Sequence, residues 1–316
     1  MSTISVLLSL AANLDWPLHQ FDVKNAFLHG DLEEEVYMDL PSGCNSTPDK
    51  KNQVCKLRKS LYGLKQSPRA WFGRLTKSMK NFGYTQSHSD HTLFLKCDEG
   101  KLTTLIVYVN DIIIIGNDTK KKLKLQKYLS QEFEMKDLGD LKHFLGIEVA
   151  RSKTSIFLSQ RKYVMDLLTE TEMLGYKPAD TPIEMNHKLC EDTDQEPTNK
   201  EQYQRLVGRL IYLANTRPYI AYVVSVVSQF MHSTNISHRN AIDRILRYLK
   251  SAPRKGLMFS KNGDFEVVGY TDADWAGSIT DRRSTSSYFT FVRGNLVTWR
   301  SKKQNVVSRS SVEAEY

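Results

Sequence analysis

Two acidic positions have the residue types and the setting that metal-assisted chemistry needs. Asp22 closes the strand-like run 17–23, and Asp111 follows Asn110 between the apolar runs 102–109 and 112–115. Carboxylates supply the oxygen ligands that Mg²⁺ prefers, and strand ends or hairpin tips hold them rigidly. A pair of such ions assists in-line displacement at phosphorus. The two positions therefore suit nucleotidyl transfer, provided that the fold brings them together.

Each of these residues also has a simpler interpretation. An Asp after a strand often caps or turns the chain. Asn-Asp between two β-rich runs is often no more than the turn of a hairpin. Taken singly, neither residue establishes a catalytic site, and the flanking residues must decide.

Four longer motifs supply that context. Segment 21–30 (Phe-Asp-Val-Lys-Asn-Ala-Phe-Leu-His-Gly) resembles the first catalytic motif of copia-type retrotransposon polymerases. Segment 61–71 (Leu-Tyr-Gly-Leu-Lys-Gln-Ser-Pro-Arg-Ala-Trp) resembles their template- and nucleotide-binding motif. Segment 108–112 (Tyr-Val-Asn-Asp-Ile) is similar to the Tyr-Val-Asp-Asp box, and segment 144–149 (Phe-Leu-Gly-Ile-Glu-Val) to the primer grip. The order and spacing of the four also agree with that family.

The resemblance implies roles for individual residues. Asp22 would hold two Mg²⁺ ions, and Asn110 and Asp111 would complete the catalytic box. Phe27 would reject a ribose 2′-hydroxyl, although it could be an ordinary core aromatic. The residues expected to contact the template-primer or the incoming deoxynucleoside triphosphate (dNTP) are Val23, Phe27, Gly63, Lys65, Gln66 and Arg69.

Three of those expected contacts keep an alternative interpretation. Gly63 would let the backbone approach the nucleotide, or it is a turn glycine. Lys65 and Arg69 would face template phosphate, or they lie on a solvated surface.

Asn110 departs from the family pattern, which has Asp at this position. Asn keeps a carbonyl oxygen but loses a full negative charge. Changes to groups that merely support metal ligands already cost about 10–100-fold in affinity or activity. We therefore expect little or no polymerase activity from this copy.

A second acidic segment lies near the end of the sequence. Segment 270–277 resembles the first acidic strand of a copia-type ribonuclease H domain, and segments 282–286 and 296–304 continue the match. Segment 310–316 resembles the helix that brings a second acid. Asp272 and Glu313 would then be metal ligands, with Asp274 and Glu315 as surface acids. We expect both ends to be truncated, because 21 residues precede Asp22 and further ribonuclease H ligands would lie downstream.

The periodicity of the chain predicts a mixed α/β (α+β) fold. Ser67 and Pro68 predict a helix start with Ser67 as N-cap, and Gly83 predicts its end. Residues 177–199 lack periodicity and hold three prolines, as in a linker. The predicted organisation is reverse transcriptase palm, fingers and thumb over 1–176, a linker and helical connection over 177–261, and a truncated ribonuclease H-like domain over 262–316.

The composition indicates which partners and which cellular compartment to expect. The net charge is +8, which suits a polyanion partner or simply a soluble basic protein. Five lysines crowd one predicted helix, where they would meet nucleic acid or solvent: Lys120, Lys121, Lys122, Lys124 and Lys127. No apolar run approaches the ~20 residues that cross a bilayer. We expect an intracellular, cytoplasmic protein, and the resemblance adds packaging in a virus-like particle.

Cysteine spacing agrees with a reducing compartment. The four cysteines are far apart in sequence, so neither a zinc site nor a disulfide framework is indicated. We expect reduced thiols at all four: Cys44, Cys55, Cys97 and Cys190.

The function that these patterns favour is an RNA-directed DNA polymerase of a copia-type retrotransposon. It would add deoxynucleotides to a primer on an RNA or DNA template with Mg²⁺, alongside other parts of a Pol polyprotein. One alternative is a non-catalytic nucleic-acid-binding remnant. Another is a fragment that does not fold.

Overall fold

The chain folds into two compact units. The computed structural model describes residues 2–43, 53–184, 187, 189–190, 195–263, 265–278 and 280–315. The central unit is Trp16–Leu141, and the flanking unit combines Met1–Asp15 with Lys142–Tyr316. These limits follow packing, and they differ from the predicted functional boundaries after residues 176 and 261. Those boundaries assign activities to segments and stay a prediction.

The first helix belongs to the flanking unit, and the elements that follow it build the central unit. Helix α1 is Ser2–Asn13, as the apolar spacing near the start predicts. The central unit contains strands β1 (Leu18–Val23), β2 (Tyr37–Asp39) and β3 (Val54–Lys56), helix α2 (Ser67–Asn81), strands β4 (Thr85–Gln86), β5 (Leu93–Asp98), β6 (Lys101–Tyr108) and β7 (Asp111–Gly116), helix α3 (Thr119–Glu132) and strand β8 (Met135–Asp140).

A six-stranded antiparallel sheet organises the central unit. Its strand order is β4-β5-β6-β7-β1-β8, so β1 lies between β7 and β8. Residues Ile112–Ile115 are all buried, as the continuous apolar run predicts for a strand covered on both faces. Strands β2 and β3 pair separately.

The hairpin between β6 and β7 is confirmed, but its turn lies one residue earlier than predicted. Tyr108 pairs with Asp111, so the two turn residues are Val109 and Asn110. Val109 has φ +56°, a conformation that β-branched residues rarely adopt. Asp111 is therefore the first residue of β7 and takes part in the ladder. Strand β7 also pairs with β1 as far as Asp111, so Asp111 is not a loop residue.

One face of the six-stranded sheet packs against helices α2 and α3. The shared apolar cluster contains Phe21 and Ile112 from the sheet, Trp71 and Leu75 from α2, and Leu125 from α3. The predicted helical spacing of 71, 75 and 79 places these side chains on the buried face of α2. The alternate positions of β1, which include Gln20 and Asp22, belong to the other face of the sheet.

The start of α2 differs in detail from the prediction. The N-cap position is Gln66, and its side chain makes no capping hydrogen bond. The Ser67 hydroxyl donates instead to the Leu61 carbonyl at 2.5 Å, which ties the preceding turn to the helix. Pro68 lies in the first turn, as predicted, and Gly83 follows the helix at φ +82°.

The flanking unit combines two antiparallel sheets with helices. The four-stranded sheet has the order β12-β11-β10-β9, and the three-stranded sheet has the order β13-β14-β15. Its remaining elements are β9 (His143–Phe144), β10 (Ile147–Arg151), β11 (Ser155–Ser159), α4 (Arg161–Glu170), α5 (Lys200–Leu213), α6 (Ala221–Ser228), α7 (Ile236–Ser251), β12 (Gly256–Ser260), β13 (Val267–Ala273), β14 (Thr285–Val292), β15 (Asn295–Lys303) and α8 (Ser311–Glu315). Antiparallel sheets with separate helices confirm the α+β class.

Two elements of the flanking unit differ from what the sequence pattern predicts. The pattern over 159–174 predicts one helix, whereas the structure has α4 followed by a short 3₁₀ helix, Met173–Gly175. Strand β12 was not predicted, yet it pairs with β11. The described part of 177–199 holds no helix before residue 200, in agreement with a surface excursion. It lies along α7, where the Ala179 N–H donates to the Arg247 carbonyl at 3.3 Å.

Gly30 marks a close approach between the segment after β1 and α2. A Cβ at Gly30 would lie 2.7 Å from Ser60 Oγ and 2.7 Å from the backbone N of Trp71. Gly30→Ala should therefore lower the free energy of unfolding by about 1–3 kcal/mol, as overpacking does. Urea unfolding of the full chain measures this change.

Gly73 provides the matched control for that substitution. It lies inside α2, and a Cβ there would meet no atom within 4 Å. Gly73→Ala should raise stability by about 0.5–1 kcal/mol, because alanine is the better helix former. Equal effects of the two substitutions would contradict the packing at Gly30.

Candidate active site

Two carboxylates meet where the neighbouring strands β1 and β7 reach the end of their shared ladder. Asp22 is the fifth residue of β1, and Asp111 is the first of β7, and the two are direct partners in the antiparallel register. Directly opposed side chains share one face of a sheet, with Cβ atoms about 4.5–5.5 Å apart. Both are half-buried. The fold thus brings together the two acids that the sequence separates.

Asn110 contacts Asp22 directly from the hairpin turn. Its side-chain Nδ2 donates a hydrogen bond to Asp22 Oδ1. Its backbone carbonyl accepts a hydrogen bond from the Val23 N–H at 2.8 Å. An amide therefore satisfies one oxygen of Asp22 at the position where the family has a third carboxylate. The Asn110 side chain contributes a hydrogen bond here but no negative charge.

The Asp111 carboxylate has a perturbed environment. Burial raises its pKa above the ordinary 3.8, and the negative charge of Asp22 raises it further. A hydrogen bond from Gln20 Nε2 to Asp111 Oδ1, at 3.0 Å, acts in the opposite direction. Two carboxylates with like charge at a half-buried place favour a cation beside them.

Two residues of this site were missed by the sequence prediction. Gln20 holds Asp111, and Trp71 Nε1 donates to the Val109 carbonyl at 2.7 Å. The second bond fixes the strained turn that carries Asn110. The period of a strand, which places residues 20 and 22 on one face, could have indicated Gln20. No local pattern indicates that Trp71 bonds to Val109, because the contact is long-range.

The first two motifs meet through Phe27 and its neighbours. The Phe27 and Tyr62 rings lie 4.8 Å apart between centroids, and the Ser60 hydroxyl donates to the Phe27 carbonyl. Phe27 also packs against the apolar cluster, so the core interpretation holds for part of its surface. A role against the 2′-hydroxyl stays a prediction.

The other predicted substrate contacts differ in their accessibility. Lys65 and Arg69 are exposed, and Gln66 is half-buried. Gly63 has φ +95° with open space beside it, which suits a turn glycine and leaves room for a ligand. The Val23 side chain is 1% exposed within the core cluster, and its N–H is bonded to Asn110. The Val23 side chain therefore has almost no accessible surface with which it could contact a substrate.

Comparison with known proteins identifies the family of this site. A family model described as reverse transcriptase (RNA-dependent DNA polymerase) matches residues 1–185. The chain belongs to the reverse transcriptase family. It is 44% identical over 315 residues to the retrovirus-related Pol polyprotein from transposon RE1 of Arabidopsis thaliana, a match that covers the whole chain and 21% of that relative.

Two further relatives are also retrovirus-related Pol polyproteins from transposons. The Pol polyprotein from transposon RE2 of Arabidopsis thaliana is 42% identical over 315 residues, and the match covers the whole chain and 22% of that relative. The Pol polyprotein from transposon TNT 1-94 of Nicotiana tabacum is 42% identical over 326 residues, with the whole chain and 24% of that relative covered. These relatives are copia-type Pol polyproteins, and the chain spans less than a quarter of their length.

The donor set of this site can be compared with what Mg²⁺ requires. Mg²⁺ is commonly held by one or two carboxylates and keeps several waters. Asp22 and Asp111 supply two carboxylates, and the Asn110 amide adds one neutral oxygen. Among the described residues no group of three His, Cys, Asp or Glu side chains forms a metal site. The set fits one ion, and a second ion would have to share the same two carboxylates.

The second acidic segment has only some of its carboxylates at one cavity, and the metal-ligand roles of Asp272 and Glu313 stay a prediction. Asp272 on β13 lines a cavity of about 230 Å³ together with Gln304 and Glu315. The Glu313 carboxylate does not line this cavity, and it accepts a hydrogen bond from the Arg309 N–H at 2.6 Å. Glu315 is exposed, as expected of a surface acid, and it lines the same cavity as Asp272. Tyr316, the last residue of the matched segment, lies outside the described residues.

Two further expectations concern the cysteines and the possibility of a membrane-spanning helix. Cys55, Cys97 and Cys190 are free thiols, and Cys44 lies outside the described residues. Across the described ranges, every helix is too short or too polar to span a membrane.

Asn110→Asp should make the stability of the chain depend on Mg²⁺. The change removes the donor to Asp22 and adds a third negative charge. In EDTA it should lower the free energy of unfolding by about 1 kcal/mol, because the half-buried Asp22 loses a hydrogen bond and gains a like-charged neighbour. Millimolar Mg²⁺ should recover part of the loss. Thermal unfolding in EDTA and in Mg²⁺ measures both effects.

Asn110→Ala separates the two parts of that prediction. It also removes the donor to Asp22 but adds no charge. It should destabilise the chain in EDTA with little recovery in Mg²⁺. Recovery of equal size in both variants would show that the Mg²⁺ effect does not arise at residue 110.

Asp111→Asn should stabilise the chain at neutral pH and not in acid. Because the folded-state pKa of Asp111 is raised, the folded chain holds this proton at higher pH than the unfolded chain. The contribution of Asp111 to the free energy of unfolding therefore falls as the pH rises from 3.8 through the raised pKa of the folded state. The gain from Asp111→Asn should be only ~0.5 kcal/mol at pH 7, since solvent screens a half-exposed group.

Urea unfolding at pH 7 and below pH 3.8 measures this difference. Asp39→Asn, at an exposed carboxylate on β2, is the matched Asp-to-Asn control. An equal gain from Asp111→Asn at both pH values would contradict the proposed electrostatic cause.

Proposed function

We propose that this chain is the RNA-directed DNA polymerase region of a copia-type Pol polyprotein, in a copy whose polymerase site is inactive as written. The observation that carries the proposal is the direct register of Asp22 with Asp111, with the Asn110 amide bonded to Asp22. The substrates would be a template-primer of RNA or DNA and a dNTP. Other parts of the Pol polyprotein would be its partners.

The chemistry follows from what the residues of the site can do. Asp22 and Asp111 would hold Mg²⁺, which would stabilise charge on the phosphoryl group and activate the primer 3′-hydroxyl. The rigid strands keep the two carboxylates in register, so the ligands need little reorganisation. Asn110 cannot contribute the third charge, and its N–H group occupies an oxygen of Asp22. This side chain is the reason that we assign an inactive site.

The same proposal extends to the architecture. The six-stranded sheet with α2 and α3 on one face would be the palm. The β2–β3 pair and the segment with Lys65 and Arg69 would contribute to fingers that contact template and nucleotide. The sheet β13-β14-β15 with α8 would be part of a ribonuclease H-like domain. Its support is the cavity that Asp272 shares with Glu315.

A second candidate function is nucleic-acid binding without catalysis. It is favoured by Asn110 together with the basic surface of α3, where Lys120, Lys124 and Lys127 are exposed. Lys121 contributes less, because it forms an ion pair with Asp98 at 2.5 Å. Binding to phosphates through such lysines should weaken steeply with salt.

Primer extension on a polyribonucleotide template with Mg²⁺ tests the polymerase proposal. Asn110→Asp should extend the primer at least tenfold faster than the chain as written, because a metal-ligand charge is worth at least as much as a supporting contact. Adding Asp22→Asn to Asn110→Asp should remove the activity again. Equal activity of the chain as written and Asn110→Asp would overturn the assignment of an inactive site.

Duplex binding at several salt concentrations completes the test. If Asn110→Asp is inactive but the chain binds an RNA–DNA duplex in a salt-dependent manner, the binding function replaces the polymerase. If neither activity nor binding is found, both functions are wrong for this chain.

A further inference from the structure

Gln20 is a buried amide at the edge of the proposed metal site. It lies in β1, two residues before Asp22, and is 6% exposed. Residues two apart in a strand lie on the same face, so Gln20 and Asp22 project on one side of the sheet. A buried amide without a hydrogen-bond partner is costly, so the identity of its partner is informative.

The neighbours of Gln20 across the sheet restrict what its side chain can contact. In the register, Gln20 faces Ile113 on β7 and Gly139 on β8. Neither of these residues has a side-chain acceptor. The amide reaches diagonally instead, and its Nε2 donates to Asp111 Oδ1 at 3.0 Å.

The local backbone also departs from regular pairing at this point. The register of β8 against β1 shifts between Gln20 and Phe21, and Gly139 has φ +76°. Such bulges recur next to functional sites, where they redirect side chains. The irregularity lies beside the residue that holds Asp111.

We propose that Gln20 is a positioning residue for the divalent cation of the polymerase site. Its amide fixes one oxygen of the Asp111 carboxylate, so that the other oxygen is presented beside Asp22. Asp111 is the first residue of its strand and follows a two-residue turn, so its side chain needs such a support. This inference rests on the proposed polymerase function and adds a residue to it.

Gln20 acts through Asp111 and does not itself bind the cation. Partners that orient metal ligands typically contribute about 10–100-fold in metal affinity or activity. Loss of the amide should leave the two carboxylates in place but let Asp111 adopt other rotamers. Cation binding should therefore weaken, while the fold of the sheet is retained.

The test measures Mn²⁺ binding to the full chain carrying Asn110→Asp, by the electron paramagnetic resonance signal of free Mn²⁺. Gln20→Met has nearly the same size and removes the donor, so its Mn²⁺ affinity should fall about tenfold or more. Gln20→Asn keeps a polar amide that stops one methylene short of Asp111. It should bind Mn²⁺ about as weakly, and it serves if the Met variant fails to fold.

Ile113→Val is the matched control for general loss of stability. Ile113 is the direct register partner of Gln20 and is fully buried, but it offers no donor to Asp111. The loss of one methyl group should destabilise the sheet slightly, because it leaves a small cavity in the core. Its Mn²⁺ affinity should stay within twofold of the parent. A merely structural role of Gln20 would give the Gln20 variants the same behaviour as this control.

Primer extension by the same variants separates the two proposals. The Gln20 variants should require about tenfold more Mg²⁺ for half-maximal rate, with a smaller change in the rate at saturating Mg²⁺. If the Asn110→Asp parent binds Mn²⁺ and extends primers, and a folded Gln20 variant does so equally well, the positioning role is wrong and the polymerase function stands. If the parent neither binds Mn²⁺ nor extends primers, the polymerase function fails and the positioning role fails with it.

Discussion

The antiparallel register between β1 and β7 is the constraint on which the site depends. In a strand the side chains alternate between faces, so a slip of one residue would move Asp111 away from Asp22. The hydrogen bond from the Val23 N–H to the Asn110 carbonyl ties β1 to the turn before β7, and the buried isoleucines hold β7 in the core. The hydrogen bond from Trp71 to the Val109 carbonyl holds the turn at the end of the same ladder. Bonds to the turn thus fix the positions of the two charged groups.

Two like charges at a half-buried place are unfavourable by themselves, and the chain offsets them with two amides. Gln20 donates to Asp111, and Asn110 donates to Asp22. The two amides differ in their consequences. Gln20 leaves both carboxylates in place and holds one of them. Asn110 holds one oxygen of Asp22 and adds no negative charge of its own.

The proposed polymerase site is complete within one compact unit. Asp22, Asn110, Asp111, Gln20 and Trp71 all belong to the central unit, so its own core decides their arrangement. The acidic cavity of Asp272 and Glu315 belongs to the flanking unit and depends on the pairing of β13 with β14. In both units a carboxylate is carried by a strand that pairs in an antiparallel ladder. The chemistry that the chain offers follows from two independent ladders.

The sequence by itself determined the family, the α+β class, the β6–β7 hairpin and the apolar face of α2. These follow from motifs and from periodicity, which are local properties of the chain. It also indicated Asp22 and Asp111 as a pair, because each is flanked by a recognisable motif. It did not determine which two residues form the hairpin turn, that Ser67 bonds to Leu61 and does not cap α2, or that Glu315 lines the cavity of Asp272 in place of Glu313.

Only the tertiary structure decided those points, and it alone revealed Gln20 and Trp71. The physical reason is that each depends on a partner distant in sequence. The turn is one residue early because β7 pairs with β1 as far as Asp111. Gln20 selects Asp111 because its neighbours in the register, Ile113 and Gly139, have no side-chain acceptor. A local pattern indicates which kinds of group a side chain can form hydrogen bonds with. The packing of strands that are distant in sequence decides which of those groups lies within its reach.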